Sequence, residues 1–318
     1  MPHTSLKIGF VPLCDSAPLV VARERGFFAE HGLAVDLARE PSWSNLRDKL
    51  ACGFLDAAQM LATMPLACAL GLENLRTDLV APLGLSCGGN AITLGTGLLA
   101  GLDGGAPAAL ADLPAPPVLA IPYPFSTHHY ELRCWLAGAG LDPERQVRLV
   151  VVPPPQMVAR LSAGQIAGFC VGEPWNSLAV HLGLGRVVAA VRDFLPERLE
   201  KVLALRRDRL EGGAPCLEPL LRAVLAACRW CDAPEHRDEV AGILSQPPYL
   251  NAPIEVVRAG LERIRFHGDM PNRPDPAQAL WYLGQMERAG HVSGAIDKAA
   301  LAARTYRPDL YGRCVERL

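Results

Sequence analysis

The sequence has almost no net charge and lacks a long apolar run. Its 318 residues include 31 Lys and Arg against 33 Asp and Glu, a formal net charge of -2. A balance this close to zero argues against binding of nucleic acid through a basic surface. Charges, prolines or runs of glycine interrupt every apolar stretch before the ~18 residues that a membrane-spanning helix needs. We therefore expect neither direct nucleic-acid binding nor membrane insertion.

The N-terminus lacks the features of an export signal. A secretory signal has a basic region, an apolar stretch of ~7–15 residues and a small-residue cleavage site. Here Met1-Pro-His-Thr-Ser-Leu-Lys leads directly into the strand-like segment Ile8–Leu13. This start predicts a cytoplasmic protein.

Two common catalytic motifs are absent as well. We find no H-E-x-x-H and no G-x-x-x-x-G-K-[ST] phosphate loop. Gly95-Thr-Gly97 lacks the third glycine of a dinucleotide-binding turn. No pair of carboxylates has an evident acid–base arrangement along the chain. These absences favour a protein that is not an enzyme.

Ten cysteines are scattered through apolar surroundings. Such residues are typical of reduced thiols in a protein core. Cys228-Arg-Trp-Cys231, followed by His236, is the only arrangement that suggests a metal. A zinc site would need a second ligand pair at a matching spacing, and the sequence has none. We predict no metal and no cofactor.

Short strands alternate with helices along the first two thirds of the chain. Lys7–Leu13, Leu33–Arg39 and Val118–Ile121 have the pattern of strands, and Ala17–His31 has the pattern of a helix ending at Gly32. This alternation is typical of α/β proteins with parallel sheets. Beyond Leu217 the pattern is mostly helical. The length suggests two lobes, and the Gly-, Ala- and Pro-rich stretch 95–117 is interpreted as a crossing or a loop between them.

Polar and aromatic residues gather where these elements begin or end. They are Trp43, Asn90, Ser126-Thr127-His128, Gly172-Glu-Pro-Trp-Asn176 and Glu200-Lys201. In open α/β sheets, ligands bind beyond the carboxyl ends of strands and at helix N-termini. Each residue alone also has a simpler interpretation. Trp43 could pack between lobes, Asn90 could occupy a turn, and Lys201 could be a solvated surface charge.

Several of these residues lie in motifs of a known family. The N-terminal segments Ile8–Leu19, Arg25–Leu33 and Arg39–Lys49 resemble the nitrate/bicarbonate family of ABC-transporter solute-binding proteins. The resemblance continues through Phe169–Asn176, Cys228–Glu235, Gln285–Gly290 and Tyr306–Tyr311. It implies an α/β, type II periplasmic-binding-protein fold: two lobes with mixed and parallel sheets and a ligand cleft between them. We expect lobe I to comprise residues 1–95 and 201–318, and lobe II residues 96–200.

The resemblance also implies a set of ligand-binding residues. By their positions in the family motifs, they are Trp43, Asn90, Thr127, His128, the main chain at Gly172, and Lys201. Arg198 competes with Lys201 for the position of the family lysine. Nitrate is a planar anion with three oxygen acceptors, and all of these groups can donate hydrogen bonds to it. By the same resemblance, the bicarbonate branch of the family uses a carboxylate together with calcium at the lysine position.

Because the N-terminus shows no export signal, the chain resembles the cytoplasmic branch of the family, the NasS-like nitrate/nitrite sensors. That resemblance implies a sensor that controls an RNA-binding transcription antiterminator. The alternative is a nitrate-binding component of an ABC importer. A third hypothesis is an enzyme on the same scaffold, such as a pyrimidine-precursor synthase with a Schiff-base lysine. Of the four lysines, Lys7, Lys49, Lys201 and Lys298, only Lys201 is expected near the cleft.

Overall fold

The computed structural model describes residues 4–100, 110–111, 113–196, 198–213, 215–267 and 272–315. The strands are β1 (Thr4–Phe10), β2 (Leu33–Arg39), β3 (Ala57–Leu61), β4 (Leu79–Gly88), β5 (Asn90–Gly95), β6 (Val118–Ile121), β7 (Arg148–Val151), β8 (Gly168–Gly172), β9 (Gly185–Ala190), β10 (Leu199–Arg206) and β11 (Ile264–Arg265). The helices of the first half are α1 (Ala17–Glu24), α2 (Phe27–Glu30), α3 (Trp43–Ala51), α4 (Met64–Leu70), α5 (Thr96–Leu99), α6 (Thr127–Gly138) and α7 (Met157–Ser162). Those of the second half are α8 (Trp175–His181), α9 (Val191–Phe194), α10 (Leu217–Asp232), α11 (Arg237–Leu244), α12 (Ile254–Leu261), α13 (Pro276–Arg288), α14 (Lys298–Thr305) and α15 (Pro308–Val315).

Two mixed sheets organise the chain. The first has the strand order β11-β4-β10-β3-β1-β2, and the second has the order β7-β6-β8-β5-β9. In the first sheet, β1 runs parallel to β2 and β3, while β10 is antiparallel to β3 and β4. In the second, β6 is parallel to β7 and β8, while β5 is antiparallel to β8 and β9. The lobe built on the first sheet is called lobe I, and the other lobe II.

The chain crosses from lobe I to lobe II earlier than the composition suggested. Strand β5, which we expected in lobe I, pairs within the second sheet. The crossing is therefore at Gly88–Gly89, and not after residue 95. Both glycines have left-handed backbones, with φ of 72° and 83°. Side chains are strongly disfavoured there, because a Cβ on Gly88 would lie 2.6 Å from the Arg263 carbonyl oxygen.

The return crossing lies just before β10, which begins at Leu199 in the first sheet. Part of the segment that we interpreted as a crossing, residues 101–109 and 112, lies outside the described residues. Its described N-terminal part forms α5 and follows β5 directly within lobe II.

The helix predicted over Ala17–His31 is divided in two. Helices α1 and α2 are separated at Gly26, whose φ of 81° ends the first helix in a left-handed turn. Gly32, with φ of 72°, then precedes β2 as expected. The prediction missed the break because the apolar spacing continues across it.

Apolar side chains of both lobes share one buried cluster. Val11, Leu13 and Trp43 of lobe I belong to the same cluster as Tyr123 and Trp175 of lobe II. The Trp175 indole nitrogen also donates to the Pro12 carbonyl at 3.2 Å. The lobes are thus in close contact around the cleft. Within the described part of the chain, no helix combines the length and apolar character needed to span a membrane.

Candidate functional site

Lys201 lies at the centre of a buried group of polar residues. Strand β10 carries it into the interior, where its side chain has no exposure to solvent. Its ammonium nitrogen is 2.7 Å from Asp15 Oδ2 and 2.7 Å from Glu200 Oε1. Burial alone would lower the pKa of Lys201, but the charges of Asp15 and Glu200 raise it above its usual value. Lys201 is therefore a buried cation held by two carboxylates.

Trp43 covers this cation from the start of α3. Ser42 caps the helix by accepting a hydrogen bond from the Asn45 amide at 3.2 Å, which places Trp43 at the first helical position. The centre of the indole ring is 5.5 Å from Lys201 Nζ, within the range of a cation–π contact. The indole N–H is buried and has no hydrogen-bond partner. A buried donor without a partner is costly, which makes it available to a ligand.

Thr127 and His128 reach the same group from the first turn of α6. Ser126 caps that helix by accepting from the His129 amide at 3.0 Å. The Thr127 hydroxyl donates to Glu200 Oε1 at 2.7 Å, and His128 Nε2 lies 3.7 Å from the same oxygen. Burial and then the charge of Lys201 hold the pKa of His128 well below its usual value, so the imidazole is neutral. Its Nε2 atom is buried without a hydrogen-bond partner.

Asn90 and Gly172 complete the group at the ends of two adjacent strands. They are direct partners in the antiparallel pairing of β5 with β8. The Asn90 amide donates to Glu131 Oε2 at 2.8 Å, while its Oδ1 atom is buried without a partner. A Cβ on Gly172 would lie 3.4 Å from Asn90 Oδ1 and 3.4 Å from Asp15 Oδ2. The Gly172 main chain therefore adjoins carboxylate and amide side chains from both lobes.

The structure thus brings all six sequence-predicted residues together in one buried cluster, which we call the cleft cluster. Its members are Trp43, Asn90, Thr127, His128, Gly172 and Lys201, together with Asp15, Glu131 and Glu200. The role of the six in ligand binding remains a prediction. Arg198, the competing candidate for the lysine position, instead places its guanidinium 4.4 Å above the centre of the Trp281 ring.

Sequence reasoning missed three residues around this cluster. Asp15 lies in the turn Cys14–Ser16, beyond the carboxyl end of β1, where ligands commonly bind in such sheets. Gln59 is the single polar residue in the buried strand β3 and donates to Asp15 Oδ1 at 2.5 Å. Glu131 lies four residues after Thr127 and so on the same face of α6. Each signal was visible in the sequence but too weak to stand out before the lobes were placed.

The cleft cluster contains more acidic groups than we expected of an anion site. Burial raises the pKa values of Asp15 and Glu200 above the usual range even though Lys201 opposes this. Burial and the charge of Glu200 raise the pKa of Glu131 well above its usual value, which favours the protonated form of its carboxyl group. In this cluster two carboxylates share one ammonium group.

The cysteine motif lies away from the cleft cluster. Cys228 and Cys231 are buried in the core of lobe I, and Cys228 Sγ is 3.9 Å from the Leu85 carbonyl oxygen. His236 stacks on Trp230 with ring centres 4.1 Å apart. No group of three or more His, Cys, Asp or Glu side chains in the described ranges is placed to hold a metal ion.

Residues 1–245 match the model of the NMT1-like family. The chain belongs to this family. Among its relatives, it is 31% identical over 336 residues to the nitrate/nitrite binding protein NrtA of Synechococcus elongatus, covering 96% of this chain and 76% of that protein. It is 38% identical over 341 residues to the nitrate import ATP-binding protein NrtC of Synechocystis, covering 99% of this chain. The chain spans 50% of that NrtC protein, and about half of the other ATP-binding relatives that it matches.

Solved structures of similar proteins have the same fold as this family member. The periplasmic nitrate-binding protein NrtA of Synechocystis superposes with a TM-score of 0.93 at 29% identity, covering 99% of this chain and 89% of that chain. The alkanesulfonate-binding protein SsuA of Xanthomonas axonopodis superposes with a TM-score of 0.72 at 17% identity, covering 98% of each chain. The predicted α/β fold of the periplasmic-binding-protein type, with two mixed sheets, is confirmed.

Proposed function

We propose that this protein binds nitrate or nitrite between its two lobes. The observation that carries the proposal is the pair of buried, unpartnered polar atoms, Trp43 Nε1 and His128 Nε2, beside the buried ammonium of Lys201. The relatives named for nitrate or nitrite binding support it, because the similarity extends over almost the whole chain.

The chemistry of the cleft cluster suits a small planar anion. Nitrate and nitrite accept hydrogen bonds through their oxygens and donate none, so they need several donors and a compensating positive charge. Trp43 supplies an N–H group that can only donate. The neutral imidazole of His128 has one N–H group, which can donate to the anion in the tautomer protonated at Nε2, because Nδ1 lies 3.3 Å from the Thr127 hydroxyl oxygen. Lys201 supplies the positive charge. The main chain at Gly172 can approach the anion closely because no side chain is present there.

We further propose that the protein acts as a nitrate/nitrite sensor in the cytoplasm and controls a partner antiterminator protein. A cytoplasmic location is supported by cysteine chemistry. Cys14, Cys68, Cys170, Cys228 and Cys231 are buried free thiols, as is typical of a reducing compartment. Control of a partner is supported by the position of the binding groups. They come from both lobes, so a ligand can favour one lobe arrangement over another.

The second candidate is a component of a nitrate importer. The similarity to the import ATP-binding protein NrtC over half of that protein's length favours it. An enzyme with a Schiff-base lysine is less well supported. A nucleophilic lysine must be deprotonated, whereas Asp15 and Glu200 raise the pKa of Lys201 and keep it charged.

Calorimetric titration tests the binding proposal. The purified protein is titrated with nitrate, nitrite and bicarbonate, each with and without calcium. We expect nitrate or nitrite to bind without calcium and bicarbonate to bind more weakly, because Lys201 favours an anion that carries no proton. Binding of bicarbonate only in the presence of calcium would contradict the proposal. Affinity capture with a candidate antiterminator, and with the permease and ATPase of an importer, then separates the sensor from the importer component.

A further inference from the structure

The Asp15 carboxylate lies in the cleft cluster in a position that is fixed from several sides. It belongs to the short turn Cys14–Ser16 after β1, and its side chain is fully buried. Gln59 donates to its Oδ1 atom at 2.5 Å. Gln59 is oriented in turn by the Val11 amide, which donates to Gln59 Oε1 at 3.2 Å. Asp15 is therefore held towards Lys201 by its own lobe, with no contribution from a ligand.

Asp15 already pairs with the Lys201 ammonium, which is the positive charge that a ligand anion would need. Its Oδ2 atom is 2.7 Å from Lys201 Nζ, and both side chains are inaccessible to solvent. Glu200 contacts the same ammonium at 2.7 Å. His128 is neutral, so Lys201 is the cation that both of these carboxylates contact. A bound nitrate would add a third negative charge around a single ammonium.

Asp15 is also next to the predicted anion position. A Cβ on Gly172 would be 3.4 Å from Asp15 Oδ2, so the Gly172 main chain and this carboxylate are in direct proximity. An anion that contacts the Gly172 main chain and Lys201 must therefore approach the Asp15 carboxylate. Like charges at such short range in a buried site repel strongly, since little water screens them.

We propose that Asp15 determines the affinity and the charge selectivity of this site, by acting as an internal carboxylate that competes with the ligand anion for the Lys201 ammonium. The inference rests on the proposed function, which supplies the anion. Asp15 lowers the affinity for nitrate, so that the protein responds only at higher ligand concentrations. It excludes dianions such as sulfate, because their repulsion from Asp15 and Glu200 is twice that of a monoanion.

The test compares Asp15→Asn with Asp36→Asn. Asn preserves the shape of Asp15 and removes its charge, while Asp36 is exposed on β2 of the same lobe and undergoes the same change of charge. We expect Asp15→Asn to lower the nitrate Kd by at least about tenfold. A tenfold change in Kd corresponds to the same free energy as a shift of one pKa unit. It should also produce measurable sulfate binding. Asp36→Asn should change the nitrate Kd by less than about twofold, since exposed charges are screened. Asp15→Ser, which also removes the charge, has to move the affinity in the same direction.

The outcomes separate this inference from the proposed function. If the wild-type protein and Asp15→Asn both fail to bind nitrate and nitrite, the proposed function is wrong. If both bind nitrate with equal Kd, or if folded Asp15→Asn binds more weakly, then Asp15 does not compete with the ligand and the inference is overturned. Folding is checked in each variant by its thermal unfolding transition. Tighter nitrate binding together with new sulfate binding supports the inference. If Asp15 were merely structural, its replacement would weaken the binding of both anions.

Discussion

The carboxylate of Glu173 in lobe II is 2.5 Å from Arg263 Nη1 in lobe I. Glu173 is fully buried, and its main-chain oxygen accepts a second interlobe hydrogen bond from the Cys14 amide at 2.7 Å. Arg263 also donates to the Ser177 hydroxyl at 2.9 Å. The Glu173–Arg263 ion pair therefore connects the two lobes at the residue that follows Gly172. It also links the cleft to the crossing, because the Arg263 carbonyl faces Gly88.

Arg263→Gln should destabilise the arrangement in which the lobes are in contact. The change leaves the buried Glu173 carboxylate without its cation, and breaking a buried pair costs about 3–5 kcal/mol. Because Arg263 keeps 29% of its side chain exposed, we expect the lower end, about 3 kcal/mol in the free energy of unfolding. Arg258→Gln is the matched control. Its pair with Asp238 is exposed, so its loss should cost no more than about 1 kcal/mol. Equal losses in urea unfolding would show that the Glu173 pair has no special role.

Lys201→Gln should weaken nitrate binding by about 100-fold. Hydrogen bonds to charged groups contribute about 1.5–3 kcal/mol, and no second cation contacts the described members of the cleft cluster. Lys49→Gln is the control, since Lys49 is half exposed and pairs with Glu40 outside the cluster. Both variants are titrated with nitrate after their folding has been checked by circular dichroism. Unchanged affinity in Lys201→Gln would remove this residue from the site.

Trp43→Phe should lose both affinity and most of the fluorescence response to nitrate. Phe preserves an aromatic ring over Lys201 but has no N–H donor, so we expect the Kd to rise by about tenfold. The matched control is Trp281→Phe, which removes the indole that lies under Arg198. Intrinsic fluorescence during a nitrate titration gives both quantities. A full signal and full affinity in Trp43→Phe would mean that Trp43 only packs between the lobes.

The fold was predicted well from the sequence because the periodicity of apolar residues and the residues that cap helices are local features. Beyond residue 217 the pattern predicts helices over Leu217–Cys231, His236–Leu244, Pro253–Glu262, Pro276–Ala289 and Ile296–Ala303. They begin and end within two residues of α10, α11, α12, α13 and α14. The misses also have physical causes. The break at Gly26 and the crossing at Gly88 depend on left-handed backbone turns, which apolar spacing does not reveal. Helix α15 went unrecognised because Gly312 interrupts its short sequence.

The site was predicted less completely because its electrostatics depend on distant contacts. The six predicted residues came from motifs, and the structure placed them together. That Asp15 and Glu200 share Lys201 depends on the turn Cys14–Ser16 meeting β10, which is about 185 positions further along the chain. Likewise, the raised pKa of Glu131 follows from burial and from the nearby charge of Glu200. A sequence alone provides neither the contacts between residues far apart in the chain nor the burial of a carboxyl group.

His129 should make the protein less stable in acid. Burial lowers its pKa to about 4, although its ring nitrogen is hydrogen-bonded to the Pro124 carbonyl at 2.5 Å. Because the unfolded chain binds the proton near pH 6.5, stability falls as the pH drops from about 6.5 to about 4, by up to about 3 kcal/mol. In His129→Gln this contribution disappears. The difference in free energy of unfolding between the two proteins should be constant above pH 7 and change below it. A constant difference down to pH 4 would contradict the buried, neutral state.

The last prediction concerns the coupling of nitrate to a partner protein. A ligand shifts an equilibrium between two lobe arrangements only through its different affinity for them. Trp43 in lobe I and His128 in lobe II both have buried polar atoms without partners, so nitrate gains contacts only when the lobes are together. Suppose that the partner binds a more open arrangement of the lobes. The partner must then weaken nitrate binding by the same factor by which nitrate weakens binding of the partner. A typical coupling of about 1–3 kcal/mol makes that factor about 5–150. Nitrate affinity is measured with and without saturating antiterminator, in a complex whose integrity is verified by gel filtration. An unchanged affinity in the intact complex would exclude the sensor mechanism and leave a protein that binds anions without controlling this partner.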